Sequence, residues 1–277
     1  MKKRSWGSWC FLSAVLVVMY LPIIVVIIYS FNDNTARIPI AFTGWTIDWY
    51  KKLFEGRNGF GDALILSLRV AFWSVLAAGA IGTMGAIGMA QRTIVQKKKA
   101  SPSDGFMEAM MTLPIMIPEI ILGLAFMVIF NAMSIRGNEL RLILAHVTFC
   151  IPYVFLNVKS RLAGMDKAIF DAARDLGADP LRVLLDITLP LCRPAIFSGS
   201  FLALAMSLDD FVISFFVYGA GEGTLPIKIY SSVKVGVSPQ VNALCTVMIA
   251  TVFSVVAISR YISALRRKGT EKRMSER

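Results

Sequence analysis

The chain has 277 residues, 56% of them hydrophobic and only 17% charged, with a mean hydropathy of +0.64. An ordinary soluble domain carries about 25% charged and 45–50% apolar residues, so this apolar surplus exceeds what a water-excluded interior can hold, and most soluble enzyme classes are excluded. The 29 Lys and Arg against 18 Asp and Glu give a net charge of +11, yet the basic groups sit dispersed between apolar segments and form no single stripe, which disfavours a nucleic-acid partner.

A membrane span needs about 20 mostly apolar residues to cross roughly 30 Å of hydrocarbon. Six segments qualify, running approximately Trp9 to Ser30, Leu64 to Met89, Phe106 to Met133, Leu140 to Val158, Pro194 to Tyr218 and Val241 to Ala264. The first follows Met-Lys-Lys-Arg but is longer than a signal-peptide core and precedes no A-x-A site, so it reads as a retained helix. The loop after it, Phe31 to Gly61, carries Trp45, Trp49 and Tyr50, which suit anchoring at the membrane surface and also offer Trp49 and Tyr50 as solute contacts. In the second span Ala78, Gly82, Ala86 and Ala90 recur every fourth residue, a small-residue face that lets another helix approach closely. His146, the single histidine, lies inside the fourth span and reads as a helix-packing polar residue. The loop after the fifth span, Gly219 to Gln240, contains Gly219, Gly221, Gly223, Pro226 and Pro239, and a polar tail follows Ala264.

Basic residues set the orientation. One side holds Lys2, Lys3 and Arg4; Arg92, Lys97, Lys98 and Lys99; Lys159, Arg161, Lys167, Arg174, Arg182 and Arg193; and Arg266, Arg267, Lys268, Lys272, Arg273 and Arg277. The other carries fewer: Arg37, Lys51, Lys52, Arg57, Arg136, Arg141, Lys228 and Lys234. Six spans with both termini cytoplasmic follow, giving an all-α polytopic domain over residues 1–264, with an inner loop at 159–193 and a tail at 265–277. Cys10, Cys150, Cys192 and Cys245 are isolated and mostly lie in apolar stretches, so neither a disulfide framework nor a zinc site is expected, and one histidine cannot build a multi-histidine metal site.

Residues 159–193 are too regular for a plain connector. Their apolar residues recur at helical spacing and are interrupted at Gly177 and Pro180, which predicts two short amphipathic helices joined by a tight turn. The loop resembles the EAA motif of ABC-importer permeases: Ala172, Ala173, Gly177, Ala178, Leu189 and Pro190 match, and Asp171 stands where the family usually has Glu. That resemblance implies a coupling helix seated in a cleft of a cytosolic ATPase, with Asp171, Ala172, Ala173, Gly177, Ala178 and Pro180 as the docking residues.

Over almost the whole chain the sequence resembles the spermidine/putrescine permeases, in particular the second of their paired membrane subunits. The segments that carry this are Tyr29-Ser30-Phe31-Asn32, Trp49-Tyr50, Ala145 to Cys150, Ser207-Leu208-Asp209-Asp210, Leu225-Pro226, Ser232 to Pro239, and Asn242-Ala243-Leu244. The resemblance implies a bacterial inner-membrane importer of two different permeases, two copies of an ATPase and a periplasmic polyamine-binding protein. ATP and Mg²⁺ would belong to the ATPase, and this chain has no G-x-x-x-x-G-K-[ST] phosphate loop.

Three acids fall within spans: Glu119 in the third, Asp209 and Asp210 in the fifth. A charge at bilayer depth is costly unless it faces a cavity or a partner, so each is a functional candidate. At 1.5 Å per residue along straight helices, Glu119 lies roughly 20 Å and Asp209 roughly 22 Å from the inner start of its helix, a shared depth just beyond the midplane. Such acids favour a cationic solute, with aromatic faces as supplementary contacts; Ser207 joins them by the resemblance. Pro114 and Pro118 are expected to kink the third span and leave the Pro114 carbonyl free near Glu119. Asp209 and Asp210 point about 100° apart on a helix, so one is expected to face the path and the other to be paired within the bundle, Arg69 being one possible partner. The alternatives are an ABC permease for another solute such as an opine or a metal ion, an ATP-independent cation carrier or channel, and a membrane scaffold.

Overall fold

A computed structural model describes residues 6–36, 41–55, 59–90, 102–219, 223–236 and 238–275. Lys2, Lys3, Arg4, Arg37, Arg57, Arg92, Lys97, Lys98, Lys99, Gly221, Val237 and Arg277 lie outside the described residues. The described chain is helical, in the order α1 Trp6–Tyr29, α2 Asp48–Phe54, α3 Phe60–Ala90, α4 Pro102–Met116, α5 Glu119–Ala132, α6 Asn138–Ala163, α7 Lys167–Asp175, α8 Pro180–Arg182, a π-helical stretch Val183–Thr188, α9 Leu189–Asp209, α10 Val212–Tyr218, α11 Leu225–Val235 and α12 Pro239–Ser275. Four helical runs are long and apolar enough to cross a membrane; α4 with α5 makes a fifth, bent pair, and the apolar part of α12, Pro239–Ser254, is shorter. The six apolar segments expected from the sequence are thus all helical, with two changes of outline.

The third expected span is broken, not kinked: α4 and α5 meet at 105° across Ile117 and Pro118. Pro118 has no N–H for the carbonyl of Pro114, and its ring disfavours helical geometry at Ile117. Ile117 N–H makes the last bond of α4, to Leu113 O, and Pro118, extended at φ −55° and ψ 133°, opens α5. A ruler laid along a straight third helix therefore misplaces Glu119, which stands in the first turn of a new helix. The fifth span also shifts. It starts at Pro180, passes through the π-helical stretch into α9, and stops at Asp209 after 30 residues, where a continuous helix from Pro194 to Tyr218 was expected. The wider π turn takes up the ring of Pro190, which in a regular helix would press on the carbonyl four residues earlier. The second half of the inner loop is accordingly not a separate short helix but the head of this span.

The chain divides into two compact units, Met1–Gly61 with Ile229–Arg277, and Asp62–Lys228. In the first, α12 packs on α1 and α2. In the second, α6 is the central element and α9 its most extensive neighbour. Small residues make this possible: a Cβ on Gly199 of α9 would stand 2.8 Å from Val154 Cα, and one on Gly82 of α3 would stand 3.0 Å from Ile151 O. Ala78 and Ala86 of the same α3 face are fully buried. The core around α6 consists of Leu142, Ala145, Cys150, Val154, Phe155 and Val158, all without exposure.

Candidate functional site

Both helix breaks in the second unit open onto one cavity of about 180 Å³. Glu119 enters it from the start of α5, Asp209 from the end of α9, and Asp210 and Phe211 from the link to α10; Tyr153 and Phe149 of α6, Pro114 of α4 and Met206 of α9 complete the wall. The structure thus gathers the three intramembrane acids around one space, by helix ends instead of by matched depth on straight helices.

The acids are in different chemical states of engagement. Asp210 is 5% exposed, and its carboxylate caps α10: Oδ1 accepts Ile213 N–H at 3.2 Å, and Oδ2 accepts Ser214 N–H at 2.8 Å and Ser214 O–H at 2.7 Å. These bonds satisfy two otherwise unpaired N–H groups of the new helix and offset part of the cost of burying the carboxylate. His146 reinforces the cluster, with Nδ1 2.8 Å from Ser207 Oγ, Nε2 3.0 Å from Ser214 Oγ and Nε2 3.4 Å from Asp210 Oδ2. Glu119 and Asp209 are exposed toward the cavity side of their helices and, among the described residues, hold no hydrogen bond or ion pair through their side chains. Arg69, considered above as a partner for the aspartates, lies 3.5 Å from Glu139 of α6 instead.

Ser207 is buried and committed to His146, so it supports the cavity from behind and does not line it. Trp49 and Tyr50 belong to the first unit, where their polar atoms tie α2 to the chain leaving α1: Trp49 Nε1 donates to Asn32 O at 2.8 Å and Tyr50 O–H pairs with Ser30 Oγ at 2.6 Å. Lys52 rests over the Trp49 ring at 4.5 Å, and Lys51 Nζ donates to Asp48 Oδ1 at 2.9 Å, which holds that carboxyl below its ordinary range. Sequence reasoning missed the hub role of His146, Ser214 as its partner, and Tyr153. A capping signature, Asp210 with an apolar run and a serine four residues on, was available for Ser214; nothing local connects His146 to residues 61 and 68 positions away.

The inner loop is a small folded body. Asp166 caps α7 by accepting Ala168 N–H at 2.9 Å, and Asp179 caps the next helix by accepting Arg182 N–H at 2.7 Å, with Pro180 at its first position where no N–H is needed. Gly177 adopts φ +81°, a left-handed turn that glycine takes without steric cost, and its N–H bonds Arg174 O at 2.8 Å. Phe170, Ala173 and Val183 form a miniature core with Ala178 against it. Ala172 faces outward, Asp171 is half-buried, and the apolar Leu176 and Leu181 are 89% and 61% exposed at the tip. Exposed leucines on a rigid, doubly capped turn suit a protein partner better than water.

A multi-pass helical bundle with an acidic cavity at two broken helices, and with a folded apolar-tipped loop leading into a span, defines a membrane permease that takes part in a larger assembly. Residues 95–268 match the model of the binding-protein-dependent transport system inner membrane component, and the chain belongs to that family, whose members are multi-pass inner-membrane transport subunits. It is 39% identical over 256 residues to the putrescine transport system permease protein PotI of Escherichia coli K12, covering 90% of this chain and 88% of the relative. To the spermidine/putrescine transport system permease protein PotC it is 36% identical in Haemophilus influenzae, over 91% of this chain and 95% of the relative, and 36% identical in Escherichia coli K12, over 94% of each.

Proposed function

We propose that this chain is a permease subunit of an ATP-driven importer that carries polyamines, spermidine or putrescine, across the bacterial inner membrane. The observation that carries this reading is the pair Glu119 and Asp209, two carboxylates with no side-chain partner among the described residues, on one cavity with the rings of Tyr153 and Phe149. Carboxylates in a low-dielectric cleft attract ammonium groups strongly, and ring faces add cation–π attraction along an alkyl diamine. The names of the relatives point to the same solutes. Asp210 and Ser207 shape this path, and in the other unit Trp49 and Tyr50, whose polar atoms serve the fold of their own loop, keep ring faces that suit a cationic solute.

The remaining assembly follows the family. A second, homologous permease completes the path, a periplasmic polyamine-binding protein delivers the solute, and two copies of a cytosolic ATPase supply ATP and Mg²⁺ chemistry. Both termini lie in the cytoplasm. Asp171, Ala172, Ala173, Gly177, Ala178 and Pro180 form the coupling element, its folded core transmitting ATPase closure into the span that begins at Pro180 and ends at Asp209. Alternating access then arises because the closed and open ATPase favour different arrangements of the bundle.

The test is uptake of labelled spermidine and putrescine in cells lacking their own polyamine importers, with this chain and its operon partners supplied. Wild type takes up one or both; Asp209→Asn and Glu119→Gln, at equal membrane levels, lower uptake while binding-protein-stimulated ATPase activity persists. Absence of uptake by the assembled wild type overturns the substrate class. Uptake by this chain without the ATPase overturns the ATP-driven mechanism.

A further inference from the structure

The break between α9 and α10 is held by one side chain from a third helix. His146 is 1% exposed, and its ring reaches three places at once: Ser207 in the last turn of α9, Asp210 in the link, and Ser214 in the first turn of α10. The proton positions follow from the partners. Ser214 gives its hydroxyl proton to Asp210 Oδ2 at 2.7 Å, so toward His146 it can only accept, and Nε2 must carry the hydrogen. Nδ1 is met by the Ser207 hydroxyl at 2.8 Å. Both ring nitrogens are thus engaged, Nδ1 by the end of α9 and Nε2 by the link and the start of α10.

A helix-packing polar residue needs one partner on a neighbouring helix. Here the partners are the two helix ends and the linker of a broken span, and the residue directly before the linker, Asp209, is the carboxylate left open to the cavity. Consecutive Cα atoms are 3.8 Å apart, so whatever fixes the Asp210 backbone and the end of α9 fixes where the Asp209 carboxylate points. Phe149, one turn along α6, has its ring 5.0 Å from His146 and lines the same cavity, which places the clamp directly behind the wall.

We propose that His146 is a positioning residue for solute passage: it locks the α9–α10 break and so aims Asp209 into the cavity while keeping Asp210 out of solute contact. The inference rests on Asp209 facing the solute path, as argued above.

Its first test reads position without transport. Asp209→Cys and, separately, Glu119→Cys are introduced into the full chain assembled in membranes, and their rates of reaction with a small cationic thiol reagent are measured against the unsubstituted chain, with and without His146→Leu. Positioning requires His146→Leu to change the rate at position 209 by about tenfold, an interaction of the size that touching groups show, while position 119 stays within about twofold. The second test is a cycle on uptake: His146→Leu lowers uptake in the wild-type background and adds nothing in the Asp209→Asn background, and His146→Gln, which keeps a donor at the Nε2 position, restores part of it. Equal labelling at 209 with or without His146→Leu overturns the proposal, and so does a loss of uptake that simply adds to that of Asp209→Asn. Failure of both His146 variants to reach the membrane makes the histidine a folding requirement and likewise overturns it. Should the assembled wild type carry no polyamine, the substrate reading falls while the labelling comparison still decides this one.

Discussion

Adding one methyl group at two glycines packed around α9, one in α9 against α6 and one in α3 against α9, should have opposite effects. Gly199 of α9 is buried against the α6 backbone, and a Cβ there would stand 2.8 Å from Val154 Cα and 3.1 Å from Tyr153 O, well inside van der Waals contact. Gly79 of α3 faces α9, but its Cβ would stand 3.5 Å from Ser200 Oγ, an ordinary contact. Replacing a mid-helix glycine with alanine contributes about 0.5–1 kcal/mol through the backbone alone. Gly79→Ala should keep that gain. Gly199→Ala must push two helix backbones apart, an overpacking cost of about 1–3 kcal/mol that exceeds the gain, and the net loss is about 1–2 kcal/mol. With about 2 °C of midpoint per kcal/mol for a chain of this size, the two variants should differ by roughly 4 °C. The assay is the thermal midpoint of the detergent-purified full chain, followed by tryptophan fluorescence at one fixed scan rate. Two shifts of the same sign, or a Gly199→Ala midpoint at or above wild type, would refute close α6–α9 packing as the reason for glycine at 199.

In the inner loop, Gly177→Ala should weaken the turn by about 1–2 kcal/mol purely through its φ of +81°, since no neighbour lies within 4 Å; Gly177→Asn should be milder, and proteolysis after Arg174 in the purified chain separates the two. Asp166→Ala removes the cap of α7 and should cost about 1 kcal/mol locally, read as roughly fivefold faster hydrogen exchange at Ala168 and Ile169 with the membrane helices unchanged. Arg69→Met should shift the thermal midpoint by no more than about 1 kcal/mol equivalent, because the Arg69–Glu139 pair is long at 3.5 Å and its side chains are 57% and 38% exposed; a large loss would mean that Arg69 neutralises the cavity acids after all.

The apolar segments were legible because length and composition alone decide whether a stretch can occupy hydrocarbon, and the loop at 159–193 was legible because caps and turns are local: Asp166, Gly177, Asp179 and Pro180 act on backbone within a few residues of themselves. The outlines of the third and fifth spans were misread for one reason. A period-based reading treats an acid inside an apolar run as a guest in a continuous helix, whereas Pro118 followed by Glu119 is also a helix start, with an acid in the first turn. Asp210 likewise reads as a cap only when the four residues after it are taken as a new helix. His146 could not be read at all, since its partners are brought to it by packing of α6 against α9 and α10.

The two breaks also rank the two open acids. Unpaired backbone groups at membrane depth are tolerated only where they are buried in protein or line a cavity, so two helix ends meeting at one space mark the path more firmly than the acids do. Their polarities are opposite. Glu119 stands at the N-terminus of α5, whose N–H groups already favour a negative charge, and Asp209 stands at the C-terminus of α9, where carbonyl dipoles add to its own charge. A passing ammonium group therefore meets a partly neutralised carboxylate at 119 and a reinforced one at 209. With a dipole contribution of about 0.3–1 kcal/mol at each end, acting in opposite senses, the attraction at 209 exceeds that at 119 by roughly 1 kcal/mol, or about fivefold. Asp209→Asn and Glu119→Gln each remove a carboxylate and leave the helix dipoles in place, so at equal membrane levels both should lower uptake at low solute concentration by similar factors, and both losses should narrow as the solute is raised to saturation. A loss confined to one of the two variants would mean that the other carboxylate does not face the solute.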